Sequence, residues 1–129
     1  MRHQTSAYNI ETVNGLPAGA DGTAISAQSA LRLQGWCLVS PKDGIAPDEV
    51  WIALTASDGQ RRFYRAIQEP RPDVNAYFGH PNMKASGFVA NIDLASLSGK
   101  QKLDIYEISD GVAVDCSLHR TVNVGPTNR

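Results

Sequence analysis

The residues best suited to chemistry lie in one irregular stretch, residues 69–86, where prolines and glycines interrupt any strand pattern. It holds an arginine, an aspartate, a histidine and two adjacent aromatic residues, Tyr77 and Phe78. Aromatic faces stack on the C–H groups of sugars, while guanidinium and carboxylate groups bond hydroxyls. The stretch therefore predicts a ligand-binding site made of four residues: Arg71, Asp73, Tyr77 and His80.

A structural role for the same residues is the alternative interpretation. Arg71 would then bond loop carbonyls, Asp73 would cap a helical turn, and Phe78 would fold inward. Three prolines restrict the backbone of the stretch, which lowers the entropy lost when a ligand orders it. The sequence leaves both roles open.

Metal and cofactor chemistry is not indicated. No two histidines stand at metal-ligand spacing from each other; the three are His3, His80 and His119. Four Asp-Gly pairs could lend oxygen ligands to calcium, but turn formation explains them more simply. We therefore predict no metal and no cofactor.

Catalytic groupings are also weak. No serine lies in a G-x-S-x-G motif. Two carboxylate pairs could imitate the spacing of glycosidase acids; they are Asp104 with Glu107 and Asp110 with Asp115. On exposed strand faces such groups are solvated, and this is how we interpret them. The chain is predicted not to be an enzyme.

The two cysteines, Cys37 and Cys116, both fall among the apolar positions of predicted strands. A disulfide between them would close a loop of about 80 residues and contribute roughly 4 kcal/mol in the chain-entropy account. The alternative is two buried free thiols that act as small apolar side chains. Spacing alone does not fix a connectivity, so the free thiols are favoured.

Composition limits the class of protein. The 129 residues correspond to one domain, with 42% hydrophobic and 19% charged residues. The sequence contains 12 basic residues (Lys+Arg) and 13 acidic ones. The only adjacent pair of cations, Arg61-Arg62, is too small for a nucleic-acid-binding patch. No apolar segment approaches the roughly 20 residues that span a bilayer. We predict no nucleic-acid partner and no membrane insertion by this chain.

The longest dense apolar run, residues 30–39, predicts the central strand. Leu31, Leu33 and Cys37 share one parity, as a half-buried strand requires. Gly35 interrupts the run, which indicates a bulge or a close backbone approach. Trp36 follows it and is predicted to anchor the core.

Further alternating segments predict strands near residues 8–13, 50–55, 62–67, 87–92 and 103–108, and one last long strand from Val112 to about Val124. Tight hairpin signals stand at residues 57–59 and 109–111, and residues 93–99 fit a single helical turn. Trp51 and Tyr64 are predicted to face each other on the outer side, as a cross-strand pair or an exposed patch. The pattern predicts an all-β, antiparallel sandwich of about seven strands.

Several short motifs occur together: Gly35-Trp36, Arg71-Pro72-Asp73-Val74, Ser86-Gly87-Phe88 and Leu94-x-x-Leu97-x-Gly99. With them the chain resembles an immunoglobulin-like β-sandwich module of bacterial surface and polysaccharide-related proteins. The resemblance covers roughly residues 8–124. The length predicts a single sandwich domain, residues 6–124, and the polar chain ends predict disordered tails, residues 1–5 and 125–129.

The resemblance implies a non-catalytic accessory domain, appended for example to a glycosyltransferase, with no catalytic residue to carry over. Its expected function is carbohydrate binding; the alternative is a protein-interaction or spacer domain of a larger protein. The expected partner is a glycan or a neighbouring domain. The location would be extracytoplasmic if the domain is attached to a surface or membrane protein. An aromatic row on one face would favour glycans, and an apolar patch without convergent polar groups would favour a protein partner.

Overall fold

The computed structural model describes residues 7–19, 24–116 and 120–125. Its strands form two sheets. Sheet I contains, in spatial order, β2 (Leu16–Pro17), β1 (Ala7–Val13), β4 (Ala30–Leu38), β8 (Gly87–Asp93) and β7 (Ile67–Glu69). Sheet II contains β3 (Ile25–Ala27), β11 (Arg120–Val124), β9 (Gly99–Ser109), β5 (Glu49–Ala56) and β6 (Arg61–Arg65), with β10 (Val112–Asp115) also paired to β9. The predicted tail 1–5, His3 and His119 lie outside the described residues.

The core lies between the inner faces of the two sheets, and alternation along each central strand supplies it. Among the described residues, Phe88 of β8 has the largest side chain that is wholly buried. The same cluster joins residues of sheet I to residues of sheet II, among them Leu31, Leu33, Ala90, Ile52, Leu54, Leu103, Ile105 and Val122. The predicted all-β sandwich is confirmed at this level.

Gly35 and Trp36 have separate roles in β4. A Cβ atom on Gly35 would overlap the carbonyl oxygen of Asn9 in β1, so the predicted close backbone approach is confirmed. Trp36 has the opposite parity from the core residues of β4 and is only half-buried. Its predicted role as the core anchor is therefore wrong, because its ring projects from the outer face of sheet I.

Strand number and direction also differ from the prediction. The described residues form eleven strands rather than about seven, because β2, β3 and β7 are too short to show alternation in the sequence. The last long strand is divided into β10 and β11, both antiparallel to β9. Sheet II is mixed, since β3 runs parallel to β11.

The predicted helical turn at residues 93–99 is a β-turn instead, closed by the Leu97 N–H, which donates to the Leu94 carbonyl at 2.9 Å, whereas the predicted bond from Asp93 to the turn is present. Asp93 ends β8, and its Oδ1 accepts the Ala95 N–H at 2.9 Å in an Asx turn. Leu94 and Leu97 bury their side chains, and Gly99 already begins β9. The hairpin predictions are confirmed, since β5 pairs with β6 and β9 pairs with β10 across these turns.

The chain passes from one sheet to the other at Ala66, the only residue between β6 and β7. Edge strands of both sheets therefore lie on the same side of the sandwich. The one helix in the described ranges, α1 (Pro72–Tyr77), follows β7. Its six residues are too few to cross a bilayer.

Candidate functional site

Helix α1 lies against the outer face of sheet I. It begins with Pro72, whose fixed φ suits the first turn, and Arg71 occupies the N-cap position. The next residue after the helix, Phe78, meets the ring of Trp36 edge-to-face with centroids 5.5 Å apart. Phe78 therefore turns inward, but onto Trp36 and not into the sandwich core. Tyr77 remains 83% exposed.

Arg71 is held by two carboxylates. Its Nη1 and Nη2 donate to the two oxygens of Glu11 at 2.6 and 3.1 Å, and its Nε and Nη2 donate to Asp73 at 2.9 and 2.8 Å. Such bidentate pairs fix the direction of a guanidinium. The predicted bonds to loop carbonyls are replaced by these ion pairs. Asp73 lies in the first turn of α1 and not at its N-cap, so the predicted cap is also wrong.

Glu11 reaches Arg71 because β1 contains a bulge. Ile10 is paired with Gly35 and Thr12 with Gln34, so Glu11 is an extra residue in the ladder. Bulges redirect a side chain in this way. No sequence pattern indicates the contact, since 60 positions separate the two residues.

The ion pairs set the electrostatics of the site. Hydrogen bonds from Arg71 lower the pKa of Asp73 to about 2. The bonds to Asp73 and Glu11 raise the pKa of Arg71 above its already high value. Arg71 and Asp73 therefore stay charged at neutral pH. We call the concavity of about 300 Å³ beside them the Arg71 pocket; it is lined by Glu11, Trp36, Arg71, Asp73, Val74, Tyr77 and Phe78.

The four predicted site residues do not form one group. Arg71, Asp73 and Tyr77 line the Arg71 pocket, whereas His80 lies apart from it. The Nε2–H of His80 donates to the carbonyl of Lys42 at 2.9 Å, which assigns its proton to that nitrogen. His80 therefore fastens the loop to its neighbour.

The loop after α1 is also anchored from beneath. The buried Asn75 donates from Nδ2 to the carbonyl of Met83 at 2.9 Å, and Ser86 Oγ donates to Asn75 Oδ1 at 2.8 Å. These bonds satisfy the polar groups of both buried side chains. The loop is thus fixed, and its most exposed aromatic residue is Tyr77.

A second concavity lies on the outer face of sheet II. We call it the aromatic groove; its volume is about 460 Å³, and it is lined by Trp51, Arg61, Phe63, Tyr106, Ile108 and Ala113. The register explains the lining, because Trp51 is opposite Tyr106 and Phe63 is opposite Ala53, all on one face. The Phe63 and Tyr106 rings are 6.0 Å apart, and Phe63 is 52% exposed.

Tyr64 takes no part in the aromatic groove. It has the opposite parity and packs against the core, so the predicted cross-strand pair with Trp51 is wrong. The residue opposite Trp51 is Arg65, whose guanidinium lies 6.0 Å from the centre of the indole. Trp51 Nε1–H donates to Glu49 Oε1 at 2.8 Å. Alternation along β5 and β6 was the signal for this face, and only the parity of Tyr64 was misjudged.

Arg61 crosses the same face. Its Nε donates to Thr55 Oγ1 at 3.2 Å, and its Nη1 donates to the Tyr106 hydroxyl at 3.3 Å. The guanidinium groups of Arg61 and Arg65 thus lie over the sheet beside the aromatic rings. The lining is otherwise almost wholly apolar, and this combination suits an apolar ligand with negative charges beside it.

A third cluster lies inside the sandwich, where Cys37 and Cys116 flank the carboxylate of Glu107, which is 0% exposed. Within the described part of the chain, neither carboxylate oxygen has a hydrogen-bond donor of standard geometry. Burial raises the pKa of Glu107 to about 7, and the two thiols partly offset the shift. Burial, followed by the Glu107 charge, raises the pKa of Cys37.

Two expectations from the sequence, the solvated carboxylate pair and the free thiols, concern residues of this cluster. Glu107 and Asp104 are buried, so they are not the solvated pair that the sequence suggested. Both cysteines are buried free thiols in this structure. Among the described residues, no group of three histidine, cysteine or carboxylate side chains has the geometry of a metal site.

No protein-family model matches the chain, and no curated protein matches it significantly.

Proposed function

We propose that this chain is a non-catalytic interaction domain of immunoglobulin-like type, which binds a segment of another protein in the aromatic groove. The observation that carries the proposal is the composition of the groove on a free sheet face. Trp, Tyr and Arg are the residue types that dominate binding energy at protein interfaces. Patches of this kind on soluble proteins mark interaction sites.

The groove favours a protein segment over a sugar as its occupant. Its lining offers few polar groups that converge on one point, whereas sugar sites need several to bond hydroxyls. Apolar side chains of a partner would cover Phe63 and Ile108, and carboxylates would meet Arg61 and Arg65. This is the interaction-module alternative of the sequence analysis, with a location other than the predicted loop.

A peptide library displayed on phage tests the proposal. We expect selected peptides to lose at least tenfold in affinity for the Phe63→Ser variant, because the exposed ring supplies the apolar contact. The matched control is Tyr77→Ser, which removes an even more exposed aromatic ring, at the end of helix α1 beside the other sheet. Selected peptides that bind Phe63→Ser as tightly as the unaltered protein would refute the proposal.

A second candidate function is glycan binding at the Arg71 pocket. The specific observation in its favour is Tyr77, an exposed ring beside two fixed carboxylates. The carboxylates could accept hydrogen bonds from sugar hydroxyls while the ring stacks on C–H groups. An oligosaccharide array tests this function: binding that Tyr77→Ala abolishes and Phe63→Ser leaves intact would support it, and no bound glycan would exclude it. The resemblance to bacterial surface modules, with the extracytoplasmic location it implies, belongs to this second proposal.

A further inference from the structure

Among the described strands, β6 forms an open edge next to the aromatic groove. It ends sheet II, and its five residues exceed the two or three of the edge strands β2, β3 and β7. Open edges present unpaired backbone groups to which an extended peptide can add as a further strand.

Two hydrogen bonds at the ends of the β5–β6 pair show which backbone groups of β6 face outward. The Ala56 N–H donates to the Gln60 carbonyl, and the Ala66 N–H donates to the Val50 carbonyl, both at 2.9 Å. In an antiparallel pair, directly opposed residues alternate between hydrogen-bonded and non-hydrogen-bonded positions. Both ends are hydrogen-bonded positions, and Gln60 and Ala66 are six positions apart, an even offset, so the pattern between them is fixed.

By that alternation, Arg62 and Tyr64 bond to β5. The N–H and C=O groups of Arg61, Phe63 and Arg65 point away from β5, toward the open edge. The same three residues place their side chains on the outer face beside the groove. Backbone recognition and side-chain recognition are therefore available at the same positions.

Charge selects the partner. Arg61, Arg62 and Arg65 stand within five residues, and among the described residues no carboxylate lies within ion-pair distance of any of them. A second copy of this chain is disfavoured, because antiparallel pairing of two β6 strands about Phe63 would place Arg61 opposite Arg65. An acidic segment is favoured, because its carboxylates would lie opposite these arginines.

We propose that β6 binds an extended acidic segment of a partner protein by strand addition, and this rests on the proposed function. Residues opposite Arg61, Phe63 and Arg65 would share their face. The segment that fits has an acidic residue, any residue, an apolar residue, any residue and a second acidic residue. Its apolar side chain extends the groove at Phe63, and its carboxylates meet the two guanidinium groups.

The probe is a capped heptapeptide with glutamate second and sixth, phenylalanine fourth and threonine elsewhere. We expect a Kd of about 0.1–1 mM at low ionic strength, weakening with salt. Amide hydrogen exchange of Arg61, Phe63 and Arg65 should slow when the peptide binds, since their N–H groups gain acceptors. The amides of Arg62 and Tyr64, already bonded to β5, serve as the internal control and should not change.

Two altered peptides separate the contributions. Replacing both glutamates by glutamine should weaken binding roughly fivefold, as two exposed ion pairs are lost. Methylating the backbone nitrogen of the phenylalanine keeps every side chain but blocks the central strand bond, and binding should fall at least tenfold. In the protein, Arg65→Glu should weaken binding, whereas Arg32→Glu, the same charge change at an exposed position of β4 in the other sheet, should not.

The results distinguish this inference from the proposed function. If the peptide perturbs Trp51 and Tyr106 but N-methylation has no effect and no edge amide is protected, strand addition is refuted and groove binding stands. If the peptide does not bind, or if Arg32→Glu weakens it as much as Arg65→Glu, strand addition at β6 is refuted. Cations on an edge strand would then act only to prevent aggregation.

Discussion

Glu107 should make the stability of this protein depend on pH in an unusual direction. Its pKa is raised from 4.5 to about 7 in the folded state. Between these values the folded protein keeps a proton that the unfolded chain releases, so the free energy of unfolding falls as pH rises. The stabilisation is complete below about pH 4.5 and is lost as pH rises through 7. At 1.36 kcal/mol per pKa unit, the change is about 3 kcal/mol.

Glu107→Gln tests this reasoning, because the amide keeps the shape and cannot ionise. Urea unfolding of both proteins between about pH 4.5 and pH 8 gives the difference in unfolding free energy at each pH. We expect that difference to shift by about 3 kcal/mol in favour of glutamine as pH rises. Glu69→Gln, the same substitution on edge strand β7, is the control for the amide replacement itself. A difference for Glu107→Gln that stays constant with pH would refute the reasoning.

Three further predictions concern the core. Gly35→Ala should lower the unfolding free energy by about 1–3 kcal/mol in urea, since its Cβ overlaps the Asn9 carbonyl; an unchanged midpoint would contradict the close approach. Phe88→Ala should cost about 3–5 kcal/mol by the same assay, and a loss below 1 kcal/mol would show that the site is not tightly packed. Cys37 and Cys116 should both react with a thiol reagent after unfolding without reductant, and neither should react rapidly in the native protein; denatured protein with no reactive thiol would indicate a disulfide.

Much of the sandwich could be predicted from the sequence because period-two alternation directly reports a half-buried strand. The central strand, the hairpin before Arg61 and the in-phase core residue Phe88 follow from that signal. Strands of two or three residues carry no period, so β2, β3 and β7 could not be found. The parallel pairing of β3 with β11 is invisible for the same reason, since it depends on tertiary contacts.

The site was harder to predict than the fold. Tyr77 could be recognised as an exposed aromatic residue in a proline-bounded loop. The partner of Arg71 could not, because Glu11 reaches it through a bulge that only pairing with β4 creates. Glu107 was misjudged because a charged residue in an alternating strand is normally solvated. Only its parity, which it shares with Leu103 and Ile105, indicated burial. Trp36 was assigned to the core by size, although its parity placed it outside.

The position of β11 has a consequence for how the chain folds. This strand lies between β3 and β9, so it joins residues near both ends of the described sequence. Until β11 is in place, β3 has no neighbouring strand in sheet II. The first part of β9, residues 99–103, is then also unpaired on the side that β11 occupies. Loop-closure entropy must be paid before such distant pairings stabilise anything, and sheets that depend on them form slowly. We therefore expect sheet II to be completed last, with Leu103 and Ile105 exposed to chaperones or to aggregation until β11 docks.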